Sequence, residues 1–323
     1  MHCMCIPTLI KYPKLSSWFW LSYKPSTLFL VLYNATMGDM DEPTPENYWS
    51  LTEGVFNCLI DTERSNVFEQ AIKNTVQKGD IIVDMGAGTG ILSLFAAQAG
   101  AKKVYAIEFD NRNVVTLQKT IEVNGFKDTI QILHGDVTKI DLPETVDVVI
   151  GEMIATGLIE ELQIPAMQNI RRFMHSTTRV VLREYISYID LVSNKDEYYG
   201  FKFPIVRYEY SDEESLISDP LSLKEEYSRI DFLKNEIESG VNVDVNITIQ
   251  KNGILNGLRI SSHTVLFDDS TLDGTFAYSY PIILPLTPCE VYRGDQFQVK
   301  LSYLYCKGFG NLEYSVVPLK NVL

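Results

Sequence analysis

The segment Asp84-Met85-Gly86-Ala87-Gly88-Thr89-Gly90-Ile91-Leu92 constrains this chain more than any other. Asp80–Met85 reads as a buried strand that ends in an acid and a Gly-rich turn, and Ile91–Gln98 reads as a helix with Gly100 as its C′ residue. A strand that turns through glycines straight into a helix is half of a strand–helix–strand unit. The pattern repeats from Gly79 to about Phe173. Val104–Glu108 is a second apolar strand, Asn111–Asn124 a helix stopped by Gly125, and Ile130–His134 and Val146–Ile150 are two further strands. Such units build a parallel sheet covered on both faces, and these sheets bind ligands beyond the carboxyl ends of their strands.

After about Thr178 the helical period fades and alternating segments take over, among them Val241–Gln250, Leu258–Phe267, Pro281–Leu286, Asp295–Tyr303 and Leu312–Val317. This half reads as an antiparallel β domain, with Lys251-Asn252-Gly253 as a hairpin turn between two of its strands. The polar, acidic stretch Ser211–Glu226 reads as an inserted arm or loop. The expected fold class is α/β, with a parallel-sheet domain over residues 37–178 and an antiparallel domain over 179–323. The first thirty-six residues share neither pattern. Their apolar run Leu28–Tyr33 is far shorter than the ~20 residues a membrane helix needs, so the segment is expected to stand outside the fold, with Met37 as the start of the working protein.

Composition narrows the partners. The 323 residues carry 28 Lys+Arg against 42 Asp+Glu, a formal net charge of −14. Nucleic-acid binding wants a basic face, so neither a nucleic acid nor a membrane is an expected partner, and an acidic field favours cationic ligands. The five cysteines show no CxxC or zinc spacing, and the four histidines are scattered. No metal site is expected, and free thiols fit a cytoplasmic location.

The loop itself selects a ligand. A dinucleotide site wants GxGxxG, but here the third glycine comes one residue early, at Gly90, and Ile91 fills the other place. A leading acid, Asp84, followed by Gly86, Gly88 and Gly90 fits S-adenosyl-L-methionine better, because that ligand has no pyrophosphate and lays its amino-acid part across the loop. Glu108, closing the second strand, can accept both ribose hydroxyls. Asp136 follows the third strand, where the adenine is expected. It reads equally as an adenine contact or as a solvated loop acid, and Val137 with its backbone N–H is a comparable candidate.

Asp84–Glu108, DMGAGTGILSLFAAQAGAKKVYAIE, resembles the cofactor-binding core of the protein arginine methyltransferases, and the similarity continues through Asp141–Glu152. The resemblance implies a Rossmann-like methyltransferase domain followed by a β-barrel-like domain that handles substrate and dimerisation. Leu59-Ile60-Asp61-Thr62-Glu63-Arg64 is similar to the family helix whose arginine pairs with the cofactor's carboxylate, which gives that role to Arg64. Tyr48-Trp49 resembles the aromatic pair of the family's lid helix. Tyr198-Tyr199-Gly200-Phe201 and Val291-Tyr292-Arg293-Gly294-Asp295 resemble points of its barrel. A homodimer formed through an arm near Ser211–Glu226 is a further implication.

Glu152 lies just past the fourth strand and Glu161 nine residues later, the spacing of the family's two substrate-binding glutamates. Two carboxylates can clamp a guanidinium through its N–H fork and aim one nitrogen at the methyl group. At an effective dielectric of ~20 each close charge pair is worth roughly 4 kcal/mol before desolvation. Two stretches depart from the family. Met153–Gly157 lacks the aromatic that follows the first glutamate, and Phe276-Ala277-Tyr278-Ser279-Tyr280-Pro281 replaces Thr-His-Trp, with Tyr278 or Tyr280 as the candidate substitute. The expected activity is therefore N-methylation of a guanidino group in a protein or peptide. The alternatives are the same fold acting on a small-molecule amine, guanidine or hydroxyl, and a non-catalytic scaffold that keeps the nucleotide fold.

Overall fold

The computed structural model describes residues 52–210, 217–234 and 236–319. Residues 1–51, with the expected start at Met37 and the Tyr48-Trp49 pair, lie outside them. Two helices open the described chain, α1 (Thr52–Ile60) and α2 (Thr62–Thr75). Then β1 (Ile81–Met85), α3 (Ile91–Gln98), β2 (Lys103–Glu108), α4 (Asn111–Val123), β3 (Ile130–His134), β4 (Val146–Ile150), α5 (Gln163–Ile170) and β5 (Met174–Val180) follow, with β3 and β4 joined without an α-helix between them. The five strands form a parallel sheet in the order β3-β2-β1-β4-β5. Their apolar side chains, such as Ile82, Val104, Val148 and Ile107, are fully buried.

Strand order reverses between β1 and β4, and this is where a parallel sheet leaves a crevice. There Asp84 pairs with Ile150, so the Gly-rich loop after β1 and the loop after β4 leave the sheet side by side. Gly151 makes that approach possible. It sits at φ +127°, and a Cβ there would lie 2.6–2.7 Å from Met85 atoms.

The antiparallel half begins with β6 (Leu182–Ser193) and continues with β7 (Glu197–Tyr198), β8 (Phe201–Lys202), β9 (Arg207–Tyr208), β10 (Asp219–Pro220) and β11 (Glu225–Asp231). After these come β12 (Gly240–Thr248), β13 (Gly253–Leu266), β14 (Thr271–Leu272), β15 (Ile282–Val291), β16 (Gln296–Leu304) and β17 (Glu313–Pro318). One sheet runs β10-β6-β13-β15-β9, with β11 also on β6 and β14 on β13; a second runs β12-β16-β17. The two are open sheets and do not close into a barrel. Arg259 on β13 bridges the first sheet internally. Its guanidinium donates to both Asp190 oxygens at 3.0 and 2.7 Å and to Glu209 at 3.1 Å, all buried.

Three expectations need correction. The parallel sheet reaches Val180, past Thr178, because β5 pairs with β4. Lys251-Asn252-Gly253 is no hairpin: β12 pairs with β16, whereas β13 pairs with β6 and β15, so the turn carries the chain from one sheet to the other. Part of Ser211–Glu226 is sheet rather than arm, since Asp219, Pro220, Glu225 and Glu226 pair with β6; residues 211–216 lie outside the described residues. No helix among the described residues is long and apolar enough to cross a membrane.

Candidate active site

The crevice at the carboxyl ends of β1, β2 and β4 is a cavity that runs from Asp136 and Val137, past Glu108 and over Gly86 and Gly88, to Arg64, Glu152 and Glu161. The loop at its floor has all three glycines at positive φ, +71°, +53° and +84° for Gly86, Gly88 and Gly90. The Ala87 N–H donates to the Ile107 carbonyl at 2.8 Å, which lashes the loop to β2. α3 starts behind it from Gly90, which has no side chain to cap the helix.

Asp84 and Gly90 do not line the cavity. Asp84 lies wholly buried beneath the loop, where one oxygen accepts the Ser93 hydroxyl at 2.6 Å and fixes the first turn of α3. Burial pushes its pKa up to about 6, against the pull of the Ser93 hydrogen bonds. Its part in the site is thus to shape the loop from below.

Glu108 closes β2 with both oxygens fixed. Oε2 accepts the Gly88 N–H at 2.8 Å and Oε1 the Asp110 N–H at 2.8 Å. Asp136 lies on the wall, but its carboxylate takes the Thr138 N–H at 2.9 Å and hydroxyl at 2.7 Å, with the Lys139 ammonium at 3.0 Å. Burial works against its ionisation, yet these partners outweigh it and lower its pKa. Val137 is held beside it through its carbonyl, which accepts Asn169 Nδ2 at 2.9 Å.

At the other end, Asp61 caps α2 by accepting the Arg64 N–H at 3.0 Å. Its second oxygen takes the Thr275 hydroxyl at 2.6 Å and the Ala277 N–H at 2.8 Å, which ties the helix to the antiparallel half. Arg64 is thereby aimed inward. Its Nε and Nη2 donate to Glu152 Oε2 at 2.8 and 2.5 Å. Burial alone would lower the Arg64 pKa, but Glu152 overrides it and raises it. Glu161 is also buried and at φ +58°. Burial first, then the Glu152 and Glu160 charges, hold its pKa well above the carboxylate range. Among the described residues no cation pairs with it. Cys58 lines the same end, its thiol pushed up to about 12 by burial and by Glu152.

The loop that carries the two glutamates is gripped by side chains from the antiparallel half. The Gly157 N–H donates to the Tyr185 hydroxyl at 3.2 Å, and the Gly157 carbonyl accepts from Tyr303 at 2.7 Å, itself bonded to Tyr227 at 2.8 Å. The Leu158 and Ile159 carbonyls accept the Cys306 and Gly308 N–H groups, each at 2.8 Å. Tyr208 donates to Glu160 at 2.8 Å. A positive φ at Leu158 and Glu161 costs of order 1–3 kcal/mol each, and these bonds hold the loop against it. Sequence reasoning missed this grip, as it missed Asp61 and Cys58. Tyr278 and Tyr280, the candidate aromatic substitutes, do not line the cavity. Tyr278 is buried against Phe68, and Tyr280 packs on Tyr210; of that stretch Ala277 faces the cavity.

A glycine floor, the fixed carboxylate of Glu108 and the guanidinium of Arg64 thus line one cavity. Residues 66–181 match the family model of ribosomal protein L11 methyltransferase (PrmA). The chain is 33% identical over 267 residues to an uncharacterized protein of Methanocaldococcus jannaschii, an alignment that covers 82% of this chain and 95% of that one. It is 33% identical over 149 residues to the probable protein arginine N-methyltransferase 6 of Arabidopsis thaliana, but this spans 45% of the chain and only 34% of the plant protein. The fold is similar to that of the Trypanosoma brucei PRMT1 enzyme–prozyme heterotetrameric complex with AdoHcy, with a TM-score of 0.65, 20% identity, and coverage of 82% of this chain and 97% of that one.

Proposed function

Because the chain belongs to the class I S-adenosylmethionine-dependent methyltransferases, in one family with the Methanocaldococcus jannaschii protein, we propose that it methylates a guanidinium nitrogen of arginine in a protein or peptide. The observation that carries this reading is the pair Glu152 and Glu161, two buried carboxylates at one end of the cavity, of which Glu152 holds Arg64 and Glu161 pairs with no cation among the described residues.

S-adenosylmethionine, when bound, supplies an electrophilic sulfonium methyl group and leaves as the neutral thioether. Gly86 and Gly88 form the floor under it, Glu108 accepts its ribose hydroxyls, Val137 and Asp136 flank its base, and Arg64 meets its carboxylate. Glu152 and Glu161 accept N–H bonds from the acceptor guanidinium and orient one nitrogen for in-line attack. Their charge stabilises the cation as it forms, and one of them takes the proton that the methylated nitrogen gives up. The net charge of −14 favours a cationic acceptor.

Incubation with radiolabelled S-adenosylmethionine and cell lysate should place label in protein, at an acid-stable methylarginine. Label confined to small molecules would reject the proteinaceous acceptor. A cytoplasmic location belongs to the same reading, resting on free thiols at Cys58, Cys289 and Cys306. So does a homodimer. The β7–β8 hairpin presents Tyr199, 96% exposed, and Phe201, 69% exposed, an apolar knob suited to a second copy; a monomeric mass by light scattering would remove it.

A further inference from the structure

The wall of the cavity carries the carboxylates of Glu108, Asp110, Asp136, Glu152 and Glu161, and among the described residues Arg64 is its one cationic side chain. A ligand carboxylate entering here has only Arg64 to meet, and a ligand guanidinium has Glu152 and Glu161. Yet Arg64 and Glu152 already hold each other. Nε and Nη2 converge on one Glu152 oxygen, and both side chains are 5% exposed. The remaining arginine nitrogen, Nη1, donates to the Cys58 carbonyl at 3.2 Å, and the other Glu152 oxygen accepts the Ile154 N–H at 2.8 Å.

We propose that Arg64 is a placeholder in the acceptor subsite: its two bonds fill one Glu152 oxygen and deny the acceptor guanidinium a free carboxylate, and the cofactor's carboxylate draws it away. The inference rests on the functional reading above and adds a coupling between its two ligands. The physical reason is charge. Breaking a buried pair leaves an uncompensated ion, which is costly. If the cofactor took Arg64 alone, Glu152 would face Glu161 with no cation between them. If the acceptor entered alone, two guanidinium groups would compete for one carboxylate. Each ligand supplies the charge that the other displaces, so each must tighten the other by the same factor. Arg64 is thus a positioning residue that links cofactor to acceptor, and the acceptor subsite is complete only when the cofactor's amino-acid part is present.

Calorimetry on the full chain tests this with three probes: S-adenosylhomocysteine, 5′-methylthioadenosine, which keeps the nucleoside but lacks the amino-acid part, and N-acetyl-arginine amide. S-adenosylhomocysteine is expected to tighten N-acetyl-arginine amide binding within the ~5- to 150-fold range of coupled sites, and methylthioadenosine to leave it unchanged. Glu152→Gln, which keeps an acceptor for the Ile154 N–H, is expected to free Arg64. It should tighten S-adenosylhomocysteine about fivefold or more without altering methylthioadenosine. A wild-type protein that binds both nucleosides but shows equal arginine-amide affinity with either one overturns the placeholder and leaves the functional reading standing. A variant whose S-adenosylhomocysteine affinity is unchanged or weaker does the same. A protein that binds neither nucleoside overturns both.

Discussion

Glu161→Gln is expected to lower methyl transfer by on the order of 10²- to 10³-fold, with S-adenosylhomocysteine affinity nearly unchanged. Glu161 stands at the end of a loop whose backbone is pinned by Tyr185, Tyr303 and the Cys306 and Gly308 amides, so the neutral side chain will occupy the same place. What the variant loses is the charge. The acceptor guanidinium stays protonated throughout the usable pH range, and it then faces Glu152 alone. The pH dependence gives a second reading of the same group. Glu161 titrates well above the usual carboxylate range because it is buried and because Glu152 and Glu160 are close. It binds a cation only when ionised, so wild-type kcat/KM falls as pH drops through that raised value and is recovered above it. In the Gln variant this acidic limb should disappear. Near-normal turnover by the variant, measured on whatever acceptor the wild type labels, would dismiss the two-carboxylate clamp and favour a hydroxyl or neutral amine acceptor.

Legibility in the sequence followed the range of the forces involved. The first four strands of the parallel half were readable because each is a short apolar run with an acid or a glycine at its end, whereas β5, reading MHSTTRV, has no such pattern and was not anticipated. Ile130–His134 and Val146–Ile150 are β3 and β4 as observed, and Ile91–Gln98 is α3. The antiparallel half was read only in outline. β6, twelve residues long, was not anticipated, since Arg183, Glu184 and Asp190 interrupt its apolar pattern. Asp190 is tolerated there because Arg259, far along the chain, meets it in the interior. The Lys251–Gly253 turn misled for the same reason. A turn is a local signal, while the partners of β12 and β13 are chosen by burial against distant strands. In the site, the glycines, Glu108 and Glu152 announce themselves by their place after a strand. The tyrosines that grip the glutamate loop leave no trace in the sequence, because their hydroxyls reach Gly157 from β6 and β16.

Glu108→Ala is the most damaging change expected for cofactor binding. The carboxylate is fixed before any ligand arrives, by the Gly88 N–H on one oxygen and the Asp110 N–H on the other, so it offers its remaining lone pairs to a ribose diol at little ordering cost. Hydrogen bonds to a charged group contribute about 1.5–3 kcal/mol each. Losing two of them costs roughly 3 kcal/mol or more, a hundredfold or more in Kd. The substitution also leaves the Gly88 N–H without its acceptor and loosens the loop that forms the floor. The test separates the ribose end of the cavity from the amino-acid end. Methylthioadenosine and S-adenosylhomocysteine share the ribose, so Glu108→Ala should weaken both by the same factor. A change at Arg64 should weaken only the ligand that carries a carboxylate. Undiminished binding of methylthioadenosine by Glu108→Ala would mean that no ribose lies against β2, and the cofactor would have to be placed elsewhere in the crevice.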